Sequence, residues 1–167
     1  MKLTNHIADY IALREANNRL RQTGVETIWN AIESARNRLN HQIQPGGRIC
    51  ETGRQTWEFE LEHSTLIGER LGLRLSPQTV VFEIGWPRLP EHGHVPGGGL
   101  ARGRVGFSQN IMLEPQPVAN IILRRDPSGL SARWFTLELQ EETGLTTRSG
   151  EELTDSVLNG FFSLLTT

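Results

Sequence analysis

The apolar residues of this chain change their spacing at Trp57, and that change limits the folds open to it. Before it, Leu3, Ile7, Tyr10, Leu13 and Leu20 recur every three or four residues, with polar residues between them. This is the stripe of an amphipathic helix. Thr23-Gly24-Val25-Glu26 has the form of a capping box, in which Thr23 caps a new helix and Glu26 reaches back to its amide. Ile28, Ile32, Ala35, Leu39 and Ile43 then make a second stripe, closed by Pro45-Gly46-Gly47. The pattern predicts a helical pair over 3–44, broken or kinked near Gly24. One long helix with a tolerated glycine is the alternative.

From Trp57 the period is two. Trp57, Phe59 and Leu61 alternate with Glu58, Glu60 and Glu62, the pattern of a half-buried strand with a carboxylate face. Ser64 to Leu71 reads as a short helix ending at Gly72, and Thr79 to Ile84 as a buried, β-branched strand. Val105, Phe107, Ile111 and Leu113 return at even spacing. Asp126-Pro127-Ser128-Gly129 has proline at the second turn position and glycine at the last, so Val118–Arg125 and Leu130–Gln140 form a hairpin. Ser149 and Glu152 suggest a capping box opening a helix over 150–165 that buries Leu153, Val157, Phe161, Leu164 and Leu165. Helices, then antiparallel strands, then a helix indicate a single α+β domain. Its expected sheet, of four to five strands, occupies 56–140.

Placing Ile122 opposite Arg133 and Ile121 opposite Trp134 puts Val118, Ile122, Phe135 and Leu137 on one face of the hairpin. Ile121, Leu123 and Trp134 fall on the other. An antiparallel sheet with one face in water would not carry large apolar groups on both. The second face therefore needs a cover: the terminal helices, or a second copy of the chain. Ile121, Leu123 and Trp134 are accordingly candidates for a homodimer interface.

A net charge of −2 and 37% hydrophobic residues describe a soluble globular chain with no overall attraction to nucleic acid or acidic membranes. The one cysteine, Cys50, permits no internal disulfide and suits a reducing compartment. No apolar run is long enough to span a bilayer, and the N-terminus lacks the form of a signal peptide. The expected location is the cytoplasm.

The segment Gly85–Gly106 is where function is to be sought, since connections of about twenty residues mostly bind something or stay disordered. It holds Trp86, Arg88, His92, His94, Arg102 and Arg104 around a Pro-Gly-Gly-Gly run, and these six are the candidate ligand- or partner-binding residues. His92 and His94, to which Glu91 and His63 could add ligands, are the candidate metal-binding pair, short of the convergent set zinc requires. Gly98–Arg104 imitates a phosphate loop, but it has Arg104 and Val105 where lysine and a hydroxyl residue belong, and no helix follows. The dinucleotide pattern fails at Arg102. Arg88, Arg102 and Arg104 would form a basic patch for phosphate or carboxylate, with Trp86 to stack on a ring. Glu58, Glu60 and Glu62 read as a solvated strand face. No nucleophile elbow is present, no cofactor motif survives, and no segment carries a motif specific to a family. The expected function is a non-catalytic cytoplasmic binding module, homodimeric, taking a protein partner or small anionic ligand at 85–106. A metal-dependent enzyme using His92 and His94, and a nucleic-acid binder using the arginines, are the alternatives.

Overall fold

The computed structural model describes residues 2–42, 46–89, 95–96, 98–139 and 146–167. One long helix, α1 (Lys2–Gln42), precedes seven strands: β1 (Cys50–Leu61), β2 (Ser64–Leu75), β3 (Gln78–Pro87), β4 (Ala101–Ser108), β5 (Gln116–Arg125), β6 (Ala132–Leu139) and β7 (Thr146–Glu152). A short helix, α2 (Asp155–Phe162), and a 3₁₀ turn at Ser163–Thr166 end the chain. The strands form one antiparallel sheet in sequence order, β1 to β7, each paired with its chain neighbour. Among the described residues no helix is long and apolar enough to cross a membrane.

The α+β architecture with an antiparallel sheet agrees with the sequence, but several elements differ. The expected helical pair is a single helix. Gly24 does not break it, because this is the point where α1 lies closest to the sheet. A Cβ there would come within 2.8 Å of Leu123 Cδ2, and the Gly24 carbonyl accepts a 2.9 Å hydrogen bond from Trp134 Nε1. The capping box is unused: the Thr27 hydroxyl bonds the Thr23 carbonyl in the ladder, and Glu26 pairs with Arg54. The sheet has seven strands instead of four or five. Ser64–Leu71, expected to be helical, belongs to β2, and 146–152 forms β7 ahead of the last helix. That helix starts late because Thr154, not Ser149, is its cap, its hydroxyl accepting from Val157 N. Ile111 and Leu113 stand in the loop after β4 and are exposed.

Val25, Ile28, Ile32, Ala35 and Leu39 make the buried stripe of α1. They pack on Leu71, Leu73 and Leu75 of β2, Val80, Phe82 and Ile84 of β3, and Ile121, Leu123 and Trp134 of the hairpin, with α2 closing the far side. At about 25 cal/mol per Å² of apolar surface removed from water, this helix–sheet contact is the main stabilising layer. The opposite face carries a second cluster of Phe59, Leu66, Val95, Ile122 and Leu137. Both faces of the β5–β6 hairpin are thus covered within one chain. The hairpin register is Ile122 with Phe135 and Leu123 with Trp134, two residues from the expected pairing. A shift of two preserves the side of the sheet on which every residue points, so the assignment of residues to faces stands.

Candidate functional site

The buried stripe of α1 repeats at 25, 28, 32, 35 and 39. Its continuation towards the N-terminus meets Arg21, Asn18 and Arg14 before apolar residues return at Ile11 and Ile7. The helix therefore presents polar groups where its inward face leaves the core. There it borders a groove of about 340 Å³, formed by Tyr10, Leu13, Arg14, Asn17, Asn18 and Arg21 on one side and by Trp86, Pro87, Arg88 and Leu89 on the other. The second wall is the end of β3 and the first residues beyond it.

The arginines are held from behind. Arg21 Nε donates to the Leu100 carbonyl at 2.7 Å, and its Nη1 donates to Asn18 Oδ1 at 3.1 Å. With five N–H groups on a guanidinium, the fork keeps donors for something else. Arg125, from the end of β5, donates to Asn17 Oδ1. Burial first, and the nearby charge of Arg125 second, lower the Arg21 pKa; the positive charge is disfavoured where it sits. Among the described residues no carboxylate lines the groove, and Arg14, Arg21 and Arg88 pair with none. An anion entering here would gain charge-assisted hydrogen bonds and relieve the crowding of cations. Among the described residues the lining includes no histidine, cysteine, serine or carboxylate.

Of the six residues singled out in 85–106, the structure brings Trp86 and Arg88 to this groove. Arg102 and Arg104 lie in β4, on the face turned away from α1, and each has an acidic partner. Arg102 is 0% exposed; its Nη1 donates to Glu62 Oε2 at 3.1 Å and to the Pro96 carbonyl at 2.6 Å. Arg104 donates to Glu83 Oε2 from both Nε and Nη2 and lies over the Phe59 ring. They brace the sheet and do not extend the basic surface. His92 and His94 lie outside the described residues. Among those described, no group of three or more histidine, cysteine or acidic residues is placed to hold a metal. Ile121, Leu123 and Trp134, the dimer candidates, are buried beneath α1, so a contact between chains would have to use other residues.

The segment 85–106 is also less loop than its composition suggested. β3 extends to Pro87 and β4 opens at Ala101, because Gly85 and Gly103 allow close backbone approach in the sheet. Cys50 is buried, and burial above all pushes its thiol pKa up. Its amide and carbonyl are both bonded by the Asn40 side chain, a structural tie between α1 and β1. Glu58 and Glu60 are exposed, as a solvated face requires. Arg14, Arg21, Tyr10 and the two asparagines were missed. Their signal was the interruption of an apolar helical stripe by two arginines at a seven-residue spacing. A comparison with known protein families, with curated proteins and with solved structures finds no match.

Proposed function

We propose that this protein is a non-catalytic binding module whose ligand is a small anion, held in the groove between α1 and the end of β3. One observation carries the reading: Arg14, Arg21 and Arg88 converge on a groove that has no carboxylate in its lining among the described residues. Several arginines elsewhere on the chain are neutralised. Arg54 meets Glu26 and Glu69, Arg102 meets Glu62, Arg104 meets Glu83, and Arg133 meets Asp126 and Glu152. Leaving this cluster uncompensated costs stability in the empty protein, and a bound anion recovers it. Trp86 and Tyr10 add aromatic walls.

The test is a thermal-unfolding series with phosphate, citrate and chloride at constant ionic strength. Phosphate or citrate should raise the midpoint well above chloride, and the variant Arg14→Gln/Arg88→Gln should lose the increment while keeping its fold. Equal midpoints in all three salts would refute the reading. Arg21 is left intact because it holds the Leu100 carbonyl.

Self-association is a second reading, supported by the N-terminal half of α1, where Ile7, Tyr10, Ile11 and Leu13 are each about half exposed. Sedimentation at increasing concentration, with Ile7→Lys/Ile11→Lys as the control, decides it; a monomer at every concentration rejects it.

A further inference from the structure

A second cavity lies on the sheet face turned away from α1. It measures about 490 Å³ and is lined by residues of β1, β2 and β3, with Ile111 overhanging from the β4–β5 loop. Pairing of the strands fixes its layout. Gln55, Arg70, Glu83 and Arg104 align in one row across the sheet. Glu51, Arg74 and Thr79 align in another. Between them lies the row Gly53, Gly72 and Val81. The walls thus stand about 13 Å apart at their Cα atoms, four residues along a strand.

The walls carry unspent charge. Glu83 is taken by Arg104 and Arg74 meets Glu51 at 3.3 Å. Arg70 lines the cavity, has no carboxylate partner among the described residues and lies 4.7 Å over the Trp57 ring. At that same wall, where a second hollow adjoins the first through Arg70 and Val81, the indole Nε1 of Trp57 is buried with no acceptor among the described residues.

The floor has no explanation in packing. A Cβ on Gly68, Gly85 or Gly103 would come within 3.0 Å of neighbouring atoms, so the fold itself requires those glycines. Among the described residues nothing lies within 4 Å above Gly53, and above Gly72 only the Val80 carbonyl, at 3.8 Å. Glycine in a strand interior weakens the strand and often marks a bulge, a tight bend or the close approach of a ligand or backbone. Here two such glycines are directly paired, Gly53 fourth from the start of one twelve-residue strand and Gly72 fourth from the end of the other.

We infer that this groove binds a flat-bodied organic anion of the aryl carboxylate class. Its ring lies on the bare backbone of Gly53 and Gly72, beside Val81 and Ile111. Its carboxylate meets the guanidinium of Arg70. A ring suits the floor because two paired glycines present a surface of peptide planes with no side chain between the two walls. This site is separate from the groove beside α1 and does not depend on it.

The experiment is an amide NMR titration with 2-naphthoate, using the neutral 2-naphthalenemethanol as control. The carboxylate should shift the Gly53 and Gly72 amides in a saturable way, and the alcohol should bind at least tenfold more weakly. Arg70→Gln should weaken 2-naphthoate at least tenfold. Gly72→Val should abolish its binding and be at least as stable as the parent in urea. Shifts that leave Gly53 and Gly72 untouched, or that centre on Trp86 and Arg88, would overturn the proposal. So would a destabilised Gly72→Val, which would make the glycine a requirement of the fold.

Discussion

Replacing Glu62 by Gln changes one carboxylate to an amide of the same shape and isolates what the buried Arg102 needs. The guanidinium is 0% exposed and Glu62 is 18% exposed, with contacts at 3.1 Å and 3.4 Å between them. Breaking a buried ion pair from one side costs about 3–5 kcal/mol, because the remaining charge stays desolvated. The partial exposure of Glu62 puts this case at the low end, about 3 kcal/mol. For a domain of this size, 1 kcal/mol moves the melting midpoint by about 2–4 °C, so E62Q should melt about 6–12 °C below the parent. Arg102→Met removes the charge and keeps most of the volume. It leaves Glu62 able to turn to water, so its cost should be nearer 1 kcal/mol. The double variant should match Arg102→Met, which makes the coupling about as large as the E62Q loss itself. Urea unfolding followed by tryptophan fluorescence measures all three. An E62Q midpoint within experimental error of the parent, or strictly additive losses, would refute the assignment of Arg102 as a charge that the fold must neutralise.

Further outcomes follow from the same structure. His63, at φ 65°, occupies the left-handed region beside Glu62 at φ 49°; His63→Gly should relieve that conformation and stabilise the β1–β2 turn by about 1 kcal/mol in urea titrations. The buried Cys50 thiol, its pKa raised chiefly by burial, should resist a thiol reagent at pH 8 until denaturant is added; rapid labelling of the folded protein would contradict its placement. Asp126 accepts from the Ser131 hydroxyl and then meets Arg133, and both lower its pKa. A carboxyl held below its unfolded value adds stability that is complete above the ordinary range near pH 4 and is lost as pH falls through the folded value. Carboxyl NMR titration should accordingly give Asp126 a midpoint below that of an exposed aspartate, and Ser131→Ala should raise it.

The sequence carried the α+β class, the alternation of β1 and the β5–β6 turn, because each rests on local chemistry. Period-two patterning at Trp57, Phe59 and Leu61 and the Pro127–Gly129 turn need no distant partner. Gly24 was misread because a mid-helix glycine looks the same whether it breaks a helix or admits Leu123 and Trp134 against its backbone. β2 was missed because Glu69, Arg70 and two glycines dilute its apolar pattern, and its identity comes from pairing with strands on both sides. Trp86 and Arg88 were singled out from composition. Their partners Arg14 and Arg21 lie more than sixty positions away in sequence, and only the packing of α1 on β3 joins them. Arg102 and Arg104 looked like free basic residues because the carboxylates that neutralise them, Glu62 and Glu83, come from other strands.

The most direct test of the anion groove is NMR observation of the arginine Nε–Hε and tryptophan Nε1–Hε1 signals during titration with inorganic phosphate at fixed ionic strength. The account requires saturable shifts at Arg14, Arg21, Arg88 and Trp86, with Arg54 and Arg104 unmoved because they are already paired. Shifts spread evenly over the arginines, or none at Arg21 and Trp86, would contradict it.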